Sequence, residues 1–581
     1  MGMSFIGNTD RSDHIALHSS GNVCTLAGYI SNRQSLIAEL KERGIPTHPK
    51  MSDASLMVTA YELWGNDTFQ RLGGNYSGAI WNQSSRSITL VRSPTGGIPL
   101  FYSFFNGRLV FGTEAKICLS DPESNPKFNE YSLFDFFTLL SVPPPYSMFK
   151  GVSKVEAGSW IRMSPDGDFR SGRFWPFAEL VEERKKQGNE ALSQSVLRKT
   201  RQALINAGTK DDRLGIFLDG GLTASATALG LAKYCPAKVA TYSVLLTPPS
   251  KEDLENTKKT AEELKKLGIP HHVVRLDAAR FLGLLPQIAA LQDEPNNLTA
   301  DVLFHVAAEA AAKHGVTRMV NPVGANAIFL RLLRWTELAR KVRTHERKST
   351  TWLREASVGI AKLAKRPMGE NMEQMERSLE GLPVYWSYRE LFTRDEKFQL
   401  LSGRLKHEFE ERSSWNEIAP YWSRFERWNK EQAIEDWMPF LEVVLGLPEG
   451  LCMRHDQVVH AAGIPQYMPY LEPALVVDTL ALHSITRDAE RLPRTTFEKV
   501  FGHLLPNVAL NAGAHGISKR SVSTWFFENL SNSWEEQMEE FFRQSDLLDR
   551  RTVREMMRSK DHDRRWHIYN FIQWWKGWFG V

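Results

Sequence analysis

Near the middle of the chain, Leu218-Asp219-Gly220-Gly221-Leu222-Thr223-Ala224-Ser225 has the residue types and order for gripping an anion. An apolar run, Arg213–Leu218, predicts a strand before it, and the small-residue run Ala224–Tyr234 predicts a helix after it. Glycines at such a turn let the backbone approach a phosphate, and the first N–H groups of the helix face it. A Gly-Gly pair alone suits any strand-to-helix turn; here an alternating run of strands and helices surrounds it. Asp219 stands four residues before Thr223 on the same loop. A carboxylate and a hydroxyl so placed could share a displaced cation.

Other reactive side chains read differently. The cysteines, Cys24, Cys118, Cys235 and Cys452, are scattered and form no CxxC pair, so neither a zinc site nor a disulfide framework is indicated. Cys24 lies in a predicted strand and is expected in the core. His271-His272 opens a strand, where neighbours point to opposite faces and do not share one ion. Glu442, in Trp437-Met438-Pro439-Phe440-Leu441-Glu442, reads as a solvated surface acid.

The elements that must position these groups are those of a globular protein. The 581 residues are 42% hydrophobic and 24% charged, enough for two large domains and little disorder. With Lys+Arg 72 and Asp+Glu 68, a net charge of +4 argues against an overall nucleic-acid binder. No apolar run reaches the ~18 residues of a membrane span, and the first residues do not resemble a signal peptide. A cytoplasmic protein with no membrane partner is the expectation.

Up to about residue 175, short β-rich runs recur at Cys24–Ile30, Tyr76–Trp81, Ser87–Val91 and Arg108–Gly112, with helical periodicity at Arg33–Arg43 and Asp53–Leu63. An α+β layered domain follows. The charged stretch 176–195 reads as a linker or a solvated helix start. Beyond it come a helix at Leu197–Ala207 and strands at Lys238–Leu246 and His271–Leu276, separated by a helix at Asp253–Leu267, which imply a parallel sheet covered on both faces. After about 330 the chain is mostly helical.

The loop resembles the SGGLDSS pyrophosphate loop of asparagine synthetases, and further segments match in the right order. Asp293-Glu294-Pro295 resembles the family's DEP motif, and Gly324-Ala325-Asn326-Ala327-Ile328-Phe329 stands where it has GADELF. Arg454-His455-Asp456-Gln457 and Met468-Pro469-Tyr470-Leu471-Glu472 are similar to RxDR and PFLD. Gly28-Tyr29-Ile30-Ser31-Asn32 is similar to NGEIYN, and Arg92 through Tyr102 to RDRLGIRPLYY. No single match is strong; the ordered series carries the resemblance.

The resemblance implies an α/β protein: an N-terminal Ntn-hydrolase-like αββα domain over 1–180 and an ATP-pyrophosphatase-type parallel-sheet domain with a helical extension over 195–581. It implies carboxylate adenylation followed by amine attack, with ATP and Mg²⁺ as cofactors. The nearest branch is that of β-lactam synthetases and lasso-peptide cyclases, whose substrates are small molecules or peptides. The implied nucleotide-binding positions are Leu218, Asp219, Gly220, Gly221, Leu222, Thr223, Ser225, Ser243 and Gly324. Asp293, Glu294 and Asn326 would line the substrate cleft, and Glu442 and Lys519 are the catalytic candidates; Asp219 could hold a displaced metal.

Several departures bear on chemistry. Glutaminase action needs a cysteine at the mature N-terminus, which is lacking here, and Ser4 has no evident base. The family's metal-binding aspartates fall at Thr223 and Asn326, and the adjoining glutamate at Ala327, all neutral. The loop's first serine is Asp219. The branch's lysine falls at Asn511, within Leu510–Lys519, and its tyrosine at Val323. Two function classes remain: an amide-forming ligase in peptide or specialised-metabolite biosynthesis, and a pseudoenzyme that binds without activating carboxylates. An ATP-independent reaction in the same cleft is a third.

Two surface questions stay open on sequence. The basic stretch from Arg331 to Arg366 reads as a solvated helix face or a docking surface for an acidic partner protein, with too few aromatics for RNA. The aromatic C-terminus from Trp566 is expected to pack in the core rather than lie on a membrane.

Overall fold

The computed structural model describes residues 14–105, 107–120, 127–219, 221–295, 300–330, 370–387, 390–428, 434–485, 492–502, 522–529 and 533–580. Ser4, Gly220, Asn511, Lys519 and the basic stretch 331–366 lie outside them.

The N-terminal part holds two antiparallel sheets face to face. The larger has six strands: β1 (Ile15–Leu17), β2 (Val23–Ile30), β3 (Gly74–Asn82), β4 (Ser87–Arg92), β8 (Ser159–Met163) and β9 (Phe169–Arg173), side by side in that order. The smaller runs β6 (Arg108–Gly112), β5 (Phe101–Phe105), β7 (Ser153–Lys154). Alternation along the strands builds the layers. Cys24, Leu26, Ile80 and Val91 face α1 (Arg33–Glu42) and α2 (Asp53–Trp64), against Leu36, Leu40 and Met57. Ala79, Leu90 and Ile161 face the other way, onto Leu100 and Val155 of the smaller sheet. The outer layer there is α4 (Ala115–Leu119), reached after α3 (Thr68–Arg71), and α5 (Glu130–Leu139) follows. Helix, sheet, sheet and helix are stacked as expected. Gly28, at φ +99, is required: a Cβ there would strike the Asn75 carbonyl.

The stretch 176–195 is not a linker. It forms α6 (Phe177–Lys185) and the start of α7 (Asn189–Ile205). Phe177, Val181, Leu192 and Val196 recur at helical spacing and are buried in the second domain's core. The charges that suggested a linker lie between these apolar positions.

The second sheet system is wholly parallel, in the order β12 (His271–Asp277), β11 (Lys238–Thr247), β10 (Arg213–Phe217), β13 (Arg318–Val320), β14 (Gln466–Tyr467). Helix α8 (Leu222–Tyr234) joins β10 to β11, and α9 (Lys251–Lys266) joins β11 to β12. Then α10 (Ala278–Leu291) and α11 (Ala300–Lys313) carry the chain back across to β13. The strand order therefore reverses between β10 and β13, which opens a crevice at their C-terminal ends, the usual ligand position in such sheets. Leu214, Ile216 and Val320 pack on one face, and Met319, Tyr242 and Leu276 on the other. Among the described residues no helix is long and apolar enough to cross a membrane.

The C-terminal helix His562–Phe579 is core. Trp566, Phe571, Trp574 and Trp575 are buried, and the Trp574 indole donates to the Gln292 carbonyl at 2.8 Å. Trp574→Ala should lower the unfolding free energy by about 3–5 kcal/mol, the usual cost of emptying a buried aromatic site. Denaturant unfolding would show it as a lower midpoint.

Candidate functional site

The pyrophosphate-loop positions and the turn at Gly324 lie side by side, because β10 and β13 are paired neighbours. Leu218 directly follows β10 and is buried, its N–H donating to the Tyr242 carbonyl at 2.7 Å. Gly221 is the N-cap of α8, with extended backbone. The Gly221 N–H donates to Asp219 Oδ1 at 2.7 Å. A donor that the cradle would offer to a phosphate is thus spent on the chain's own carboxylate. Asp219 keeps an exposed face, yet burial raises its carboxyl above the usual range; the Gly221 N–H works in the opposite direction.

Thr223 is buried in the first turn of α8, and Ser225 is half-buried. The Ser243 hydroxyl donates to the Leu218 carbonyl at 2.9 Å, so it braces the loop from beneath. Gly324 has φ +88, and a Cβ there would come within 2.6 Å of Leu471 Cδ2, so only glycine passes. Asn326 is exposed just beyond, while Ala327 is buried. Sequence and structure thus place Asp219, Gly221, Thr223, Gly324 and Asn326 around one crevice.

Other candidate residues lie deeper. Asp293 and Glu294 do not face the open crevice. Gln457 Nε2 donates to Asp293 Oδ2 at 2.5 Å, and burial pushes the Asp293 carboxyl up to about 6. Glu294 belongs to a buried chain of charges across the two domains. Arg92 meets Glu449 at 2.6 Å, Lys154 meets Glu449 at 2.8 Å and Glu294 at 2.6 Å, and Arg454 meets Glu294 at 3.5 Å. None of these five side chains is more than 1% exposed. Burial pushes the Glu449 carboxyl up, but Arg92 and Lys154 outweigh it and hold it below its ordinary value.

Glu442 is 4% exposed, so the solvated surface reading fails; its carboxylate folds against Gly446, where any side chain would collide. Sequence reasoning missed Asn321, His455 and Asp301. Asn321 follows β13, its amide donates to His455 Nδ1 at 3.0 Å, and His455 Nε2 lies 3.3 Å from Asp301 Oδ1. Both ring nitrogens are engaged, so this trio is closed on itself rather than offering a free base. His455 was visible within its four-residue motif; nothing in the sequence pointed to Asp301.

Residues 195–577 match the asparagine synthase family model, and residues 4–175 match a glutamine amidotransferase domain. The chain belongs to the asparagine synthetase family. It is 26% identical over 308 residues to the glutamine-hydrolysing asparagine synthetase 1 of Bacillus subtilis, covering 52% of this chain and 46% of that one. A putative glutamine-hydrolysing asparagine synthetase of Mycobacterium bovis is 25% identical over 314 residues, covering 53% and 47%. A putative one from Methanocaldococcus jannaschii is 24% identical over 300 residues, covering 50% and 56%. The chain spans about half the length of the curated relatives it matches.

Within this family frame the two domains meet through motif residues. The Ser31 hydroxyl donates to Glu472 Oε2 at 2.6 Å, and the Tyr29 and Tyr467 rings lie 4.7 Å apart. Burial pushes the Glu472 carboxyl up to about 7. All four cysteines are buried. Burial raises the Cys118 thiol to about 12, and those of Cys24 and Cys452 higher still. His271 is held by Thr241 at 2.9 Å, whereas His272 stacks on His314 at 4.2 Å, so the adjacent pair is indeed divided.

Two expectations test the junction. Glu449→Ala leaves Arg92 and Lys154 buried with one partner fewer and should cost about 3–5 kcal/mol in a denaturant titration. Glu472 titrates near 7 in the folded chain against 4.5 unfolded, so the folded state binds the extra proton between them. Its contribution to stability is full below about 4.5 and is lost as pH rises toward 7. Glu472→Gln should flatten that fall, by roughly 3 kcal/mol at most, in melts recorded across the interval.

Proposed function

We propose that this chain is an asparagine-synthetase-family scaffold, of amide-ligase ancestry, that binds its substrate in peptide or specialised-metabolite biosynthesis without Mg–ATP-dependent carboxylate activation. The contact between Asp219 Oδ1 and the Gly221 N–H carries the reading. It puts an anion where a phosphate would sit. A phosphate charge ~4 Å from Asp219 would be repelled by about 1 kcal/mol in water and ~4 kcal/mol in a typical protein setting. The donors around the crevice do not fit Mg²⁺, which favours carboxylates and waters. Of Asp219, Gly221, Thr223, Gly324 and Asn326, Asp219 is the one acid. Among the described residues no group of three or more His, Cys, Asp or Glu could hold a metal.

Glutamine hydrolysis by this chain's own cysteines is excluded from the proposal. The thiolate is the nucleophile, and burial keeps these thiols protonated at neutral pH.

A second reading, an active amide-forming ligase with a displaced metal, is favoured by the exposed face of Asp219 beside Thr223. Calorimetric titration with ATP separates the two. The scaffold reading expects no heat for the wild type at millimolar nucleotide, with or without Mg²⁺. Asp219→Ser should free the Gly221 N–H and tighten ATP binding at least about tenfold, a gain of ~1.4 kcal/mol, with no metal requirement. Mg²⁺-dependent binding by the wild type that disappears in Asp219→Ser would instead establish the displaced metal.

A further inference from the structure

We infer that the open end of the N-terminal sandwich binds an amphipathic monocarboxylate: a carboxylate head on an alkyl tail of medium length. The two sheets are packed solid near the domain junction, where Leu90, Leu100, Val155 and Ile161 are buried between them. They part at the other end. There a cavity of about 380 Å³ is lined by Thr25, Trp81, Ile88, Leu109, Phe111 and Met163. Phe104, at the tip of the β5–β6 hairpin, overhangs it and is 62% exposed. The volume falls in the range of small-molecule sites, ~300–1,000 Å³. The lining is mainly apolar and would be stabilised by covering it with an alkyl or aryl group.

The mouth supplies the opposite chemistry. A second hollow of about 370 Å³ shares Arg86, Ser164 and Pro165 with the first and adds Arg162, Arg170, Asp166 and Asp168. Arg170 is paired with Asp168 at 2.8 Å, and Arg162 Nε donates to Ser87 Oγ at 2.9 Å. Arg86, at the neck common to both hollows, meets no acceptor among the described residues. It is also held at φ +51, a conformation that long side chains seldom adopt and that often marks a functional position. A guanidinium without a partner above an apolar slot suits a carboxylate, which it can hold through two parallel N–H donors.

This site is remote from the nucleotide crevice. Ile88 and Met163 are paired at one end of β4 and β8, while Arg92 and Ser159 are paired at the junction end. The inference therefore stands whatever the nucleotide loop does.

Calorimetric titration of the full chain with acetate, octanoate and 1-octanol tests it. Octanoate should bind at least about tenfold more tightly than either acetate or octanol, since only it satisfies both parts of the site. Arg86→Asn keeps a residue tolerant of positive φ and removes the guanidinium; it should weaken octanoate about tenfold and leave octanol unchanged. Octanoate binding no tighter than acetate or octanol, or unchanged in a folded Arg86→Asn protein, would overturn the inference. If the variant fails to fold, the wild-type series decides alone.

Discussion

Five buried charges, Arg92, Glu449, Lys154, Glu294 and Arg454, set the terms on which the two domains coexist. Removing such groups from water is costly, and their mutual attraction offsets that cost only where geometry and extra hydrogen bonds are good. Here they are. Arg92 also donates to the carbonyls of Ile98, Val155 and Gly96, and Arg454 to those of Gly450 and Leu140. The chain alternates cation and anion from one domain into the other. Sliding one domain on its neighbour would strand a charge in a dry interior, so the junction behaves as one rigid block.

The crevice at the β10–β13 reversal obeys a looser rule. Its architecture follows from strand order alone, since the reversal between β10 and β13 opens a gap at their C-terminal ends. Its chemistry rests on a few side chains that folding does not require. Asp219 can turn back onto Gly221, and Thr223 and Asn326 can be neutral, while Ser243 and Gly324 still shape the walls. The fold is therefore kept whichever side chains stand at these positions.

That division explains what the sequence revealed. Alternation in β2, β3 and β4 and the strand–helix rhythm from Arg213 onward follow from local periodicity, so the layers were legible. The crevice was legible through ordered glycine-bearing motifs. The stretch 176–195 is helical, as one of its two readings had it; the linker reading failed because its charges are conspicuous and its buried Phe177, Val181 and Leu192 are not. Glu442 was misread because a lone acid looks solvated until the segment around it is seen to be packed. The ion chain was invisible: Arg92 and Glu449 are 357 residues apart, and only folding makes them neighbours. Asp301 and His455 joined for the same reason.

The aromatic helix at the C-terminus touches the start of the story as well as its end. Phe149 packs against Trp574 and Trp578, with ring centroids 5.7 and 4.9 Å apart, and Phe128 meets Phe579 at 5.4 Å. These contacts join segments far apart along the chain. During synthesis Phe128 and Phe149 emerge well before Trp574, Trp578 and Phe579, so a nascent chain that has not yet made this helix carries an oily, protease-sensitive surface. The helix His562–Phe579 thus acts as a lid on this cluster that an N-terminal fragment of the chain lacks.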